Sequence, residues 1–140
     1  MSLRDDLAGV LARDSRYTIQ AYAFVFEALE HTRHLRRLAR AKVRSRRARQ
    51  AASVSGHVTG RELCLGLRDL ALKQYGLMTI TVLAQWGILA TSDVGEMVYN
   101  LIASGDFEKT PGDARSDFDD VFEFDDAFRR SYVMALDDVA

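Results

Sequence analysis

The chain has 140 residues, a formal net charge of −1, 48% apolar residues, 28% charged residues and one cysteine. This length fits one domain with a sizeable core, and the composition excludes a disordered chain. The single cysteine excludes an internal disulfide and favours a reducing compartment. No apolar run is long enough to cross a bilayer, and Asp5 and Asp6 stand where a signal peptide carries positive charge. The sequence therefore predicts a cytoplasmic protein.

Two helices are predicted in residues 1–38. Apolar residues recur at helical spacing from Leu3 to Leu11, and this first helix is expected to stop near residues 13–15. The hydroxyl of Thr18 can cap a second helix, whose apolar pattern persists to Leu38. The pattern then ends among arginines, so residues 39–58 are predicted to be either a basic extension of that helix or a linker.

Three further helices are predicted from residue 59 onward. Thr59 and Glu62 form the pattern of a capping box, and the helix that they open is expected to stop at Gly76. A short helix over residues 77–86 closes at Gly87. Thr91 or Ser92 is then predicted to cap a helix that ends at Gly105.

The periodicity changes after Gly105. Residues 107–109 and 121–124 are predicted to pair as two short strands around a turn at Pro111-Gly112, and a last helix is predicted from Asp125. The predicted fold is therefore mainly α with a small C-terminal antiparallel β-hairpin, in a winged-helix-like arrangement over about 59–125. Residues 1–140 would form a single domain, in which the winged-helix-like half, 59–140, carries an acidic C-terminal segment.

Several stretches also resemble a known family. These are DSRYTIQAYAFVFEALEHT, HVTGRELCLGLRDLALKQYG, MTITVLAQWGILATSDVGEMVYNLIASG and EKTPGDARSDFDDVFEFDDAFRR. They are similar to the uncharacterised small proteins largely restricted to planctomycetes and verrucomicrobia, and the resemblance covers most of the chain. The resemblance departs near residues 36–52, where the arginine-rich stretch is longer and more basic than expected for that family. The resemblance implies one compact domain in a bacterial cytoplasm. Because the family has no established activity, the resemblance assigns no catalytic residue and leaves the function open.

The sequence predicts no metal, cofactor or catalytic site. Glu27, Glu30, His31 and His34 lie one turn apart on one helix, but the Glu-x-x-His spacing of di-iron bundles is absent, and surface charge pairing at i,i+4 is preferred. Cys64 lies among leucines and is expected to be core. The acids of residues 117–126 are interrupted by phenylalanines, which excludes an EF-hand loop. With no activated nucleophile or acid–base pair, the sequence favours a protein that is not an enzyme.

Residues 33–49 contain nine Arg or Lys residues and no acid, whereas residues 106–140 contain eleven acids and four bases. Such a basic run can neutralise phosphates without choosing a sequence, although no aromatic residue is interleaved for base stacking. The helix that would read DNA in a winged helix, 92–104, has Asp93 and Glu96 and no base. The residues predicted to bind nucleic acid or an acidic partner are Arg36, Arg37, Arg40, Lys42, Arg44, Arg46, Arg47 and Arg49.

The preferred hypothesis is a non-enzymatic protein-interaction module that self-associates or binds a charged protein. Asp93, Glu96 and Asn100 are predicted to form its interaction face. Nonspecific nucleic-acid binding through residues 33–49 is the alternative. Insertion into a membrane is disfavoured because no apolar face continues beyond Leu38. No small-molecule substrate is evident from the sequence.

Overall fold

The computed structural model describes residues 3–42 and 57–130, with side chains over 7–41 and 57–129. Five α-helices account for most of these residues: α1 (Leu3–Arg13), α2 (Ile19–Lys42), α3 (Gly60–Tyr75), α4 (Thr79–Gln85) and α5 (Thr91–Ser104). Two 3-10 turns, Gly76–Met78 and Arg115–Phe118, and a π-helical turn, Asp125–Arg130, complete the described elements. The described residues form a helical fold around one apolar core. None of their helices combines the length and the apolarity that crossing a bilayer requires.

Local capping signals set several helix ends where the sequence predicts them. The Thr18 hydroxyl accepts a hydrogen bond from the Ala21 N–H at the start of α2. Both halves of the capping box between Thr59 and Glu62 form at the start of α3. At the C-terminal end of α5, Gly105 adopts φ 88°, the left-handed conformation in which a glycine ends a helix. These three predictions are confirmed.

The tightest contact in the fold lies between α2 and α3. Gly66 faces Thr32, and a Cβ atom added at Gly66 would lie 1.8 Å from the Thr32 hydroxyl oxygen. Thr32 is itself buried, and its hydroxyl donates to the Ala28 carbonyl at 2.7 Å, which satisfies this buried hydroxyl within α2. Because no side chain intervenes at Gly66, the two helix backbones approach closely enough to bury Ala28, Leu63 and Leu67.

A second close approach joins the end of α4 to the loop between α1 and α2. The Thr18 N–H donates to the Trp86 carbonyl at 3.2 Å. Gly87 follows with φ 97°, and a Cβ there would lie 2.1 Å from the Arg16 carbonyl oxygen. Glycine is therefore required by both conformation and space at this position. The contact buries the neighbouring Tyr17, of which 2% is exposed.

The predicted β-hairpin is wrong, because residues 107–109 and 121–124 contain no strand. The N–H groups of Asp106 and Phe107 both donate to the Leu101 carbonyl, so this segment caps α5 and has no strand partner. Phe107 then packs edge-on against Phe26 of α2, with ring centroids 5.0 Å apart. The Val121 N–H likewise bonds to the Thr91 hydroxyl, at 3.2 Å.

Without a hairpin there is no wing, so the winged-helix arrangement over 59–125 is also wrong. The 3-10 turn Arg115–Phe118 replaces it and inserts Phe118 between two helices. A Cβ at Gly60 of α3 or at Gly95 of α5 would lie 2.8 Å from an atom of the Phe118 ring or Cβ. The alternating phenylalanines that favoured a strand instead form one aromatic group, with Phe124 and Phe128 rings 5.0 Å apart in an edge-on arrangement.

We expect Gly66→Ala to lower the free energy of unfolding by about 1–3 kcal/mol, the usual cost of overpacking a core. The Thr32 side chain cannot move aside without losing its hydrogen bond to the Ala28 carbonyl, so α2 and α3 must move apart. Gly9→Ala is the matched control: nothing lies within 4 Å of a Cβ on this α1 glycine. It should stabilise the protein by up to about 1 kcal/mol through helix propensity. Urea unfolding of both variants measures the difference, and equal effects would contradict the close contact.

Candidate functional site

The predicted interaction face on α5 takes part in contacts within the chain. Asp93 accepts hydrogen bonds from the Leu89 N–H at 2.8 Å, the Ala90 N–H at 3.1 Å and the Tyr17 hydroxyl at 2.6 Å. Ala90 occupies the N-cap position, so Asp93 satisfies the start of α5 and the predicted cap by Thr91 or Ser92 is wrong. Burial, reinforced by the bond to Asp93, raises the pKa of Tyr17, which keeps its hydroxyl a donor.

Glu96 and Asn100 extend this network along α5. Glu96 accepts from Arg16 at 3.3 Å and from Arg115 at 3.4 Å. Asn100 donates to Asp14 at 2.9 Å and to the Tyr22 hydroxyl at 3.1 Å. The Arg16 guanidinium also binds both oxygens of Asp14, and that hydrogen bonding holds the Asp14 pKa well below its ordinary value. The three predicted residues thus fasten α5 to the α1–α2 loop, and their role as a partner-binding face stays a prediction.

Of the predicted basic residues that the structure describes, Arg36 bonds within the chain, whereas Arg37 and Arg40 form no ion pair with another described residue. Arg36 donates to the His57 carbonyl and forms an ion pair with Glu62 at 3.3 Å, so it fastens the start of α3 to α2. Arg37 is exposed, and among the described residues neither Arg37 nor Arg40 has an ion-pair partner. Lys42 closes the described part of α2. Arg44, Arg46, Arg47 and Arg49 lie outside the described residues.

An acidic surface lies on the C-terminal segment. Asp119, Asp120 and Glu123 are exposed, and none of their carboxylates bonds to another described residue. They follow the 3-10 turn that anchors Phe118, and Asp120 has φ 49°. The bend at Asp120 turns the chain before the π-helical turn, so these carboxylates lie at the surface while Phe118 and Phe124 are buried.

His31 takes part in an ion pair between two helices, and Cys64 lies in the core. His31 pairs with Asp69 of α3 at 2.6 Å and Glu30 pairs with Arg33 at 2.9 Å, so the predicted i,i+4 pairs of Glu27 with His31 and Glu30 with His34 are wrong. Over residues 3–42 and 57–130, no three His, Cys, Asp or Glu side chains converge as metal ligands would. Cys64 is buried, as predicted, and burial raises its pKa to about 12, which leaves a thiol with little nucleophilic character.

One feature that sequence reasoning missed is a cavity of about 710 Å³, here called the α2–α5 pocket. Its walls come from α2, α3, α5 and residues 105–118. At its mouth His57 pairs with Asp113 at 2.9 Å, and Asp113 also accepts from the N–H and the hydroxyl of Thr110. Burial raises the Asp113 pKa, but these hydrogen bonds outweigh it and lower the pKa below its ordinary value. No local pattern predicts this pocket, because its walls come from distant segments.

Asp93→Ala should lower the free energy of unfolding by about 2–4 kcal/mol, because α5 loses its cap and the Tyr17 hydroxyl loses its acceptor. In a Tyr17→Phe background the cost should fall toward the ~1 kcal/mol of the cap alone. Ser92→Ala is the matched control: Ser92 is the exposed neighbour, and it should change stability by less than about 0.5 kcal/mol. Chemical denaturation measures the free energy of unfolding of Asp93→Ala, Tyr17→Phe, the double variant and Ser92→Ala. A cost at Ser92 equal to that at Asp93 would reject Asp93 as the cap.

No protein-family model, curated protein sequence or solved structure matches this chain. The resemblance to the planctomycete and verrucomicrobial proteins therefore stays a prediction. The described residues offer an α5 network that bonds to the rest of the chain, two arginines on α2 without an ion-pair partner, an acidic surface and the α2–α5 pocket.

Proposed function

We propose that the chain is a non-enzymatic protein-interaction module that self-associates by bringing its basic and acidic surfaces together. The basic surface comprises Arg37 and Arg40 of α2, and the basic residues that follow in the sequence, up to Arg49, lie beyond the described side chains. The acidic surface comprises Asp119, Asp120 and Glu123. One observation carries the proposal: among the described residues, the charges of these two surfaces bond neither to each other nor to other side chains.

Opposite charges that stay apart within one chain can meet in a second copy. Such surfaces raise the rate of encounter and select partners of matching charge pattern. A dimer related by a twofold axis would form the contact twice, basic surface to acidic surface in each direction. Leu38, of which 46% is exposed, lies beside Arg37 and adds apolar area to the basic surface.

The expected affinity is modest. An exposed ion pair contributes about 0.2–1 kcal/mol, whereas a dissociation constant of 1 μM corresponds to about 8 kcal/mol. A few pairs and one partly exposed leucine therefore support a weak dimer that salt dissociates. We further propose that the protein works in a bacterial cytoplasm, which the single cysteine and the resemblance support.

Nonspecific nucleic-acid binding is the second candidate. The observation in its favour is that α2 remains helical through Lys42, which leaves the side chain of Arg37 exposed near the start of the basic run. Counterion release from phosphates would then supply the affinity. The acidic surface on the same chain opposes the approach of phosphates, so we rank this candidate second.

A charge-exchange experiment separates the two candidates. The acid-reversed variant is Asp119→Lys with Glu123→Lys, and it spares Asp120 because its positive φ disfavours lysine. The base-reversed variant is Arg37→Glu, Arg44→Glu, Arg46→Glu and Arg47→Glu, which gives residues 37–49 a net charge of −1. Each variant alone opposes like charges and should be monomeric under low-salt conditions in which the native chain dimerises. An equimolar mixture restores opposite charges at both contacts, so sedimentation velocity should show the dimer again.

Arg13→Glu with Arg61→Glu is the matched control, since both arginines are exposed and neither belongs to the basic surface. This control should still dimerise. A native chain that stays monomeric at low salt, or a mixture that does not recover the dimer, would reject self-association. Salt-sensitive binding of duplex DNA that is lost in the base-reversed variant would instead establish the second candidate.

A further inference from the structure

The α2–α5 pocket is distinct from the two charged surfaces and has an apolar interior. Phe26 and Leu29 of α2 face Val98 and Ile102 of α5 across it, and Phe107 contributes a further aromatic ring. A volume of about 710 Å³ falls within the range in which proteins hold small organic ligands. A single lysine or arginine side chain would leave most of that volume empty, so the size favours a free small molecule.

The rim of the pocket is rich in carboxylates. It carries five acids and two basic groups: Glu30, Asp106, Glu108, Asp113, Asp117, Arg33 and His57. Arg33 forms an ion pair with Glu30 at 2.9 Å, and His57 binds Asp113 at 2.9 Å, so both basic side chains already have carboxylate partners. Three carboxylates remain without a basic partner on the rim.

These three carboxylates differ in how far they are engaged. Asp106 accepts from the Ser104 hydroxyl, and Asp117 accepts from the Ala114 N–H at 3.0 Å. Glu108 is exposed and has no bonding partner among the described residues. The nearby bases Lys109 and Arg115 lie over the ring of Tyr99, at 6.0 and 5.1 Å from its centroid, and do not line the pocket. The mouth is therefore electronegative.

We propose that the α2–α5 pocket binds a small organic cation: an ammonium group on an apolar body about as large as a phenyl ring with a short alkyl chain. The apolar body packs between Phe26, Val98 and Ile102, where its removal from water drives binding. The ammonium group stays at the rim beside Glu108, where its charge is matched and still partly hydrated. A carboxylate in the same place would meet Asp106, Glu108 and Asp117 and be repelled.

Three ligands of nearly equal shape test this assignment: 4-phenylbutylamine, 4-phenylbutan-1-ol and 4-phenylbutyrate. The full chain, labelled with ¹⁵N, is titrated with each at low salt, and amide shifts at residues 98–108 report binding. The amine should bind in the millimolar range expected for about eleven non-hydrogen atoms. It should bind about two- to fivefold more tightly than the alcohol, and the carboxylate most weakly.

Two variants with the same change of charge locate the headgroup. Glu108→Gln should remove most of the preference for the amine over the alcohol while leaving the affinity for the alcohol unchanged. Glu123→Gln is the matched control, since it removes an exposed acid outside the pocket, and it should leave the preference intact. Leu29→Trp, which fills the pocket from α2, should abolish binding of both ligands.

The proposal is overturned if none of the three ligands shifts these amides, if the alcohol or the carboxylate binds as tightly as the amine, or if Glu123→Gln acts like Glu108→Gln. Because the amide spectrum of each variant also reports folding, loss of binding in Leu29→Trp counts as support only where the remaining spectrum matches that of the native chain. If it does not match, the Glu108 and Glu123 pair decides the outcome by itself.

Discussion

The close crossing of α2 and α3 at Thr32 and Gly66 is the contact on which the rest of the structure depends. With no side chain at Gly66, α3 lies directly on α2, and Thr32 satisfies its hydroxyl within its own helix. This crossing determines the position of α3 against α2. The first residue of α3, Gly60, forms one side of the slot that holds Phe118. Since Leu63 of α3 and Leu29 of α2 both line the pocket, the same crossing also sets the pocket's width.

The helical part of the fold follows closely from local signals. Capping hydroxyls at Thr18 and Thr59 and the glycine at 105 act within a few residues, so their effects can be predicted from the sequence. The segment after Gly105 could not be predicted in this way. Its alternating phenylalanines favoured a strand, but the burial of Phe118 depends on glycines 60 and 95 in two distant helices, which make room for it. Alternation of apolar and polar residues does not distinguish a strand from an irregular segment whose phenylalanines are buried between helices.

The candidate site shows the same division. Asp93, Glu96 and Asn100 are predicted from the sequence to form an interaction face, but in the structure they bond to other parts of the chain. Their partners, Tyr17, Arg16 and Asp14, lie more than 70 residues earlier, on the α1–α2 loop. The pocket gave no local signal at all, since its walls join residues from 26 to 118. The basic run and the acidic segment are visible in the sequence, and among the described residues Arg37, Arg40, Asp119, Asp120 and Glu123 have no ion-pair partner. A net charge of −1 therefore conceals two strongly charged surfaces.

Intermolecular paramagnetic relaxation is the most direct measurement of whether these surfaces meet in a second copy. A nitroxide is attached at Ala41→Cys, an exposed position on α2, in a copy without ¹⁵N. Cys64 is fully buried and stays unlabelled. This copy is mixed with ¹⁵N-labelled native chain at low salt. Self-association through the two surfaces predicts broadening of the amides at residues 117–123 of the ¹⁵N copy, reversed by salt. Absence of broadening, or broadening centred on α1 or α4, would contradict it.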